Sequence, residues 1–369
     1  MGTERVGTVI IGAGQAGLAT AYHLQRRREP CVVLEENACV GDNWRAQWDS
    51  LKLYTPAKYD GLPGMPFPGD RWSLPTKDQV ADYLAAYADR FELPVRTRTR
   101  VHRLGATEDG FTVDTGDATI LAENVVVATG TYGRTPNLPE YAVDLDPSIR
   151  QLHSSEYRRP SQLRDGSVLV VGASSSGMDI AYELAESRPT VLCGRDCGQE
   201  PVRPESAAAR LVDPVFVFLA RHVITRRGPL GRKVIGFARF RGKPAVRVRR
   251  KDLATRGVER VLDRVVGVRN GLPLLAGGRS VDVDNVLWCT GFRQDFSWID
   301  LPVIGEDGWP KEMRGIVDST PGLYFCGLAF QSSVGSGLLP GVGRDASFLA
   351  RRVVAGTRPT SRTRAPSAA

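Results

Sequence analysis

The stretch from Val6 to Leu24 constrains the chain most. It reads Val6-Gly7-Thr8-Val9-Ile10-Ile11-Gly12-Ala13-Gly14-Gln15-Ala16-Gly17-Leu18-Ala19-Thr20-Ala21-Tyr22-His23-Leu24. An apolar strand enters Gly-x-Gly-x-x-Gly, and a helix with apolar positions at Leu18, Ala21, Tyr22 and Leu24 leaves it. Gly12 permits the tight turn, Gly14 lets the backbone approach a pyrophosphate, and Gly17 lets the helix pack close to the strand. The helix N-terminus offers free N–H groups and a positive dipole end to phosphates. A second strand, Cys31-Val32-Val33-Leu34, ends at Glu35, whose carboxylate can bind both hydroxyls of an adenosine ribose. Such a glycine motif alone could be an unliganded turn. Set on strand–turn–helix–strand–Glu, it specifies a dinucleotide-binding unit.

The pattern recurs. Ser167-Val168-Leu169-Val170-Val171 is a strand, Gly172-Ala173-Ser174-Ser175-Ser176-Gly177 a phosphate turn, Met178–Ser187 a helix and Thr190-Val191-Leu192-Cys193 the next strand. Ser174 replaces the middle glycine, which costs some backbone approach but adds a hydroxyl donor. Arg195 lies 18 residues past Gly177, the same offset that separates Glu35 from Gly17. A cation there suits the 2′-phosphate of NADPH, and the neighbouring Asp196 would suit the free hydroxyl of NADH. NADPH is the favoured reading, against an Arg195 that is one more exposed arginine.

Between the units, the segment Gly41-Asp42-Asn43-Trp44-Arg45 and the aromatic stretch from Trp48 lead into a proline-rich loop ending at Pro75. This loop reads equally as packing or as a wall against a flat ring system. Thr76 is a plausible N-cap for a helix whose stripe is Val80, Tyr83, Leu84, Tyr87 and Phe91. Strands are expected at 95–103, 111–115 and 119–121, followed by a buried strand ending Ala128-Thr129-Gly130. Small residues there let a cofactor approach a strand's C-terminal edge. Residues 131–166 read as a linker. Leu211–Val223 and Leu230–Phe240 read as helices, with a covered domain face preferred over an oligomer contact or a membrane-surface patch. Strands are expected at 265–268, 281–283 and 286–290, the last ending Cys289-Thr290-Gly291. Gly327 closes a return strand, and the glycine loop 335–343 leads into a helix to about Val354, another anion-binding N-terminus. The tail from Thr357 reads as disordered.

Composition narrows the class. The net charge of +8 comes with 49 Lys+Arg, but there are no interleaved aromatics, zinc knuckle or recognition helix to suggest nucleic acid. A basic solvated surface is the preferred account. The six cysteines form no Cys-x-x-Cys, which suggests a reduced, cytoplasmic protein. No apolar run reaches the roughly 18 residues of a membrane span. With four dispersed histidines, no metal site is expected, and no Gly-x-Ser-x-Gly elbow supports a hydrolase.

Two nested dinucleotide units, an aromatic loop after Glu35 and a return strand with Gly327 describe a two-dinucleotide flavoprotein. Over most of its length the chain resembles the class B flavin-dependent monooxygenases, including the flavin-containing and YUCCA-type enzymes. That family's Gly-Gly-x-Trp appears as Gly41-Asp42-Asn43-Trp44. Its Gly-x-Gly-x-Ser-Gly appears as Gly172-Ala173-Ser174-Ser175-Ser176-Gly177. Of its fingerprint Phe-x-Gly-x-x-x-His-x-x-x-Tyr/Phe, only His153 and Tyr157 are present. Pro147 and Ile149 stand where Phe and Gly belong. His153 reads either as catalytic or as a linker histidine that fixes the hinge by hydrogen bonds.

The resemblance implies an α/β fold of two Rossmann-like domains, with the NADPH domain (160–284) inserted into the FAD domain (1–140 and 285–356). It implies FAD contacts from Gly12, Gly14, Gln15, Ala16, Gly17, Glu35, Glu36, Gly41, Trp44, Val101, Ala128, Thr129, Gly130 and Gly327. NADPH contacts would come from Gly172, Ser174, Ser175, Ser176, Gly177 and Arg195, with Thr290 and Gly291 also at the cofactors. It further implies oxygenation of a small organic substrate by NADPH and O2 through a C4a-hydroperoxyflavin. A homodimer stays open, and no catalytic side chain is assigned. The alternatives are an NADPH-dependent flavoprotein reductase, for which the missing Cys-x-x-Cys counts against a disulfide relay, and a non-catalytic flavin-binding sensor.

Overall fold

The computed structural model describes residues 2–131, 135–240 and 242–357. The tail expected to be disordered lies outside the described residues except for Thr357. Two sheets, the first mixed and the second parallel, organise the chain.

The first sheet contains β1 (Gly2–Ile11), β2 (Cys31–Leu34), β3 (Val95–Arg96), β4 (Arg103–Thr107), β5 (Gly110–Asp114) and β6 (Ala118–Val127) in the order β3-β2-β1-β6-β5-β4. Later in the chain, β16 (Leu323–Phe325) returns to pair with the end of β6. The strand expected at 119–121 and the buried strand after it are one continuous element. Glu123-Asn124 looks like a break, but Asn124 is buried and registers with Thr8. β6 uses its first half to pair antiparallel with β5 and its second half to pair parallel with β16. Alternation along β1 sends Ile10 to one face, against α1 (Gln15–Gln25), α3 (Lys77–Arg90) and α8 (Leu339–Thr357). Val9 and Ile11 face the other side, with Phe111, Ile299 and Trp309. Thr76 caps α3 through the Gln79 N–H, and Gln79 returns the bond.

In the second sheet, β8 (Arg150–His153), β9 (Val168–Val171), β10 (Thr190–Cys193), β11 (Glu259–Val261) and β14 (Asn285–Trp288) take the order β11-β10-β9-β14-β8. Its turn opens α4 (Ser175–Leu184). This topology corrects two expectations. Residues 150–153 form a strand inside the expected linker, and 285–288 sit in the second sheet and not in the first unit. Arg150-Gln151-Leu152-His153 carries no apolar periodicity, so pairing with β14 alone makes it a strand. The segment 281–283 is not a strand. Its neighbours β12 (Val265–Arg269) and β13 (Leu272–Leu275) form a hairpin. Asn270 and Gly271 both take positive φ at its turn, the Asn-Gly signature of a two-residue connection.

The aromatic loop holds α2 (Asp42–Arg45) and buries Trp48 and Leu51 in the second unit's core beside Tyr157 and Met178. Small elements complete the path: β7 (Thr135–Pro136) pairs with β15 (Phe292–Arg293), and α7 (Arg250–Thr255) packs near α4. The expected helices form as α5 (Ala207–His222) and α6 (Pro229–Phe240). The covered face preferred for them does not. Leu211, Val215, Phe216 and Phe218 of α5 are exposed. Helical periodicity shows that a face is apolar and says nothing about whether another element reaches it.

Candidate functional site

The two glycine turns are built alike. Gly12 has φ +104°, and a Cβ there would sit 2.9 Å from the Ala128 carbonyl oxygen; at Gly17 it would sit 1.9 Å from the Gly12 oxygen. In the second turn, Gly172 has φ +110°, with a Cβ position 2.3 Å from the Cys289 oxygen, and Gly177's is 1.8 Å from the Gly172 oxygen. Cys289 thus takes the place of Ala128. Both turns press against the end of a neighbouring strand, at the Ala-Thr-Gly and Cys-Thr-Gly motifs. A Cβ on Gly14 meets no protein atom within 4 Å. The N-caps of α1 and α4, Gly14 and Ser174, make no side-chain capping bond. Two uncapped helix ends, the first with open space at Gly14, fit the phosphates of two dinucleotides.

Glu35 is buried at the end of β2. Its Oε2 accepts the Ala13 N–H at 2.8 Å, and its Oε1 accepts the Asn37 side-chain amide at 2.6 Å. These bonds tie the Glu35 carboxylate to the first glycine turn. Glu36 faces outward, 3.8 Å from Arg100. Gly41 takes φ +91° with its Cβ position against Ala81. Asp42, in place of the family's second glycine, accepts the Cys39 N–H at 2.8 Å and so closes its own loop. Trp44 packs against both the first and second cores, and Val101 lies against the sheet's far face.

Gly130 continues β6 with φ +77° and open space at its Cβ. Next to it the buried Thr131, a residue the motif did not single out, accepts the Ala329 N–H at 2.8 Å. Gly327 has its Cβ position 2.7 Å from the Ala16 Cβ, and the Gln15 amide donates to the Gly337 carbonyl at 3.0 Å. The return strand and glycine loop therefore close over the start of α1, bringing Gly327, Gln15 and Ala16 together.

In the second unit, Ser175 Oγ donates to the Pro244 carbonyl at 2.7 Å. Arg195 is exposed, and its guanidinium has no hydrogen bond or ion pair among the described residues. Asp196, the residue that would favour NADH, is already held by Arg250 at 2.5 Å. Thr290 Oγ1 donates to Asn137, and the Gly291 carbonyl faces His153 Nε2 at 3.0 Å. His153 is 1% exposed, its Nδ1 meets Ser155 Oγ at 2.8 Å, and its ring stacks edge-on with Phe292. Burial pushes its pKa down. His153 thus ends a strand of the second sheet and not a linker, and its ring bonds hold it to Ser155 and Gly291. Tyr157 is buried and donates to Glu183 at 2.8 Å.

Sequence reasoning missed two buried carboxyls. Asp179 on α4 accepts from Tyr54 of the aromatic loop at 3.2 Å and pairs with Arg247 at 3.3 Å, fastening that loop to the second unit. Asp60 is fully buried, its carboxyl bound among the described residues only by Thr55 Oγ1 at 2.6 Å, and desolvation raises its pKa to about 7. No local pattern marks either, since their burial comes from distant chain. A cavity of about 390 Å³ lies between the loop (Lys58, Tyr59, Leu62, Met65) and Arg221 of α5. The loop read equally as packing or as such a wall, and α5 was not part of either reading. All six cysteines are free. Burial raises Cys193 to about 11 and Cys289 to about 12, far from a reactive thiolate. Among the described residues no His/Cys/Asp/Glu group could hold a metal, and no helix is long and apolar enough to cross a membrane.

Residues 9–201 match the model of a family described as pyridine nucleotide-disulphide oxidoreductase. An uncharacterized CzcO-like oxidoreductase of Geobacillus kaustophilus is 38% identical over 93% of this chain and 97% of its own. The probable indole-3-pyruvate monooxygenase YUCCA9 of Arabidopsis thaliana is 27% identical over 89% of this chain and 86% of its own. A solved flavin-containing monooxygenase from Stenotrophomonas maltophilia aligns at a TM-score of 0.75, with 26% identity over 95% of this chain and 99% of that one.

Proposed function

Because this chain belongs to the pyridine nucleotide-disulphide oxidoreductase family, as a flavin-dependent oxidoreductase with its likeness on the monooxygenase side, we propose that it is an NADPH-dependent, FAD-containing monooxygenase. It would act on a small organic substrate with O2. FAD would be held by the Gly12–Gly17 turn and Glu35, and NADPH by the Gly172–Gly177 turn and Arg195. Bound flavin supplies hydride acceptance from NADPH and activation of O2. NADPH, a proton, O2 and substrate would yield NADP⁺, water and the oxygenated product. The chain's own part is to orient the two dinucleotides and exclude water. The pair of matched turns with uncapped helix ends carries this reading. The burial of Cys193, Cys289 and Cys326 and the lack of a Cys-x-x-Cys speak against a dithiol relay as the electron acceptor.

Anaerobic reduction of the FAD-loaded protein by NADPH, followed by stopped-flow mixing with O2, tests it. A long-lived absorbance of a C4a-hydroperoxyflavin is expected. Direct return to oxidised flavin with efficient turnover of a quinone or other acceptor would establish a reductase instead. Failure of both NADPH and NADH to reduce the flavin would leave a binding protein.

A further inference from the structure

The chain's excess positive charge is concentrated in one place. Residues 201–250 hold thirteen Lys and Arg against two acidic residues, Glu205 and Asp213, while the whole chain is only +8. The α5–α6 hairpin dominates this segment. Eight of the fourteen large apolar side chains exposed among the described residues fall within 211–230. Along α5 the bare positions 211, 215 and 218 recur at helical spacing with 219 beside them, Ala209 and Ala220 are buried on the opposite side, and Phe216 is exposed at the edge of that buried side. Leu211 is 80% exposed, Val215 59%, Phe218 58% and Leu230 50%. A water-soluble domain does not bare a patch of this size without a use for it.

The hairpin is firmly seated by its inner side. The Arg226 N–H donates to the Ser332 carbonyl at 2.8 Å. Arg226 and Arg239 pair with the buried Glu312 at 2.5 and 3.1 Å, and Arg221 donates to the Pro340 carbonyl. The apolar side therefore points outward from a fixed base. Arg210, Arg227, Arg232 and Lys233 are exposed on the same hairpin. A two-fold contact between copies would bring this strongly cationic segment against a second one of the same sign. An anionic bilayer offers the opposite: negative headgroups for the cations and an acyl boundary for Leu211, Val215, Phe216 and Phe218.

We propose that the α5–α6 hairpin docks the protein onto anionic lipid surfaces, lying in the interface without crossing it. The test is co-sedimentation of the full-length, FAD-loaded protein with vesicles of phosphatidylcholine alone or of phosphatidylcholine and phosphatidylglycerol in equal parts. At low salt the anionic vesicles are expected to raise the bound fraction by about tenfold, and added salt to lower it. Phe216→Ser/Phe218→Ser is expected to abolish pelleting while the flavin spectrum is retained. Equal or absent pelleting of the wild type with both vesicles would overturn the proposal without recourse to any variant. So would a stable dimer in solution that the same double substitution dissociates, which would assign the face to a second copy.

Discussion

The sharpest prediction contrasts two glycines of one turn. Gly14 has an extended backbone, φ −75° and ψ −175°, that any residue can adopt, and its Cβ position is empty of protein. Gly14→Ala should therefore leave the apoprotein's stability within about 0.5 kcal/mol. The new methyl occupies the space through which a pyrophosphate would reach the N–H groups of α1. Losing one or two charge-assisted hydrogen bonds costs about 2–4 kcal/mol, roughly 30- to 1,000-fold in Kd for FAD. Gly17→Ala should do the reverse in order of severity. Its Cβ would lie 1.9 Å from the Gly12 carbonyl oxygen, so helix and strand must separate, at about 1–3 kcal/mol or more of overpacking. Flavin-fluorescence titration of apoprotein gives the affinities, and calorimetry of the same samples gives Tm. If Gly14→Ala binds FAD as tightly as wild type with unchanged Tm, the turn is not a phosphate cradle and the cofactor assignment fails with it.

Three further outcomes follow from other contacts. Asp60 keeps its proton in the fold up to about pH 7 while the unfolded chain releases it near 4. The native state then binds more protons between those values, and stability falls as pH rises through that window, by at most about 4 kcal/mol. Asp60→Asn should remove that slope in urea melts run from pH 4 to 8, and a slope unchanged in the variant would rule Asp60 out as its source. Arg195→Ala should raise KM for NADPH at least several-fold and leave KM for NADH nearly unchanged in steady-state flavin reduction; equal effects on both would mean that Arg195 does not meet the 2′-phosphate. Arg247→Leu leaves the buried Asp179 without its cation, and because Asp179 can take up a proton the loss should be limited to about 2 kcal/mol. Thermal melts at pH 5 and 8 should show the larger loss at pH 8, and identical losses would place the effect elsewhere.

Much of this protein was legible along the chain. Both dinucleotide units announce themselves because a phosphate turn is a local object: three small residues, a strand before, a helix after and a charged residue at a set offset. Glu35, Gly327 and the α3 stripe are of that kind, and so was the Asn270-Gly271 hairpin signal, although the expected strand at 281–283 passed it over. The remainder depended on chain brought in from far away. β8 is a strand only because β14 lies beside it. Asp60 and Asp179 are buried by elements that no local pattern names, and the His153 ring is held in place because Gly291, 138 residues later, lies against it. The exposed α5 face is the clearest instance. An amphipathic sequence determines that a helix has an apolar side, through the period of its own backbone. Whether that side is covered depends on which other surfaces reach it, and only the folded arrangement decides that.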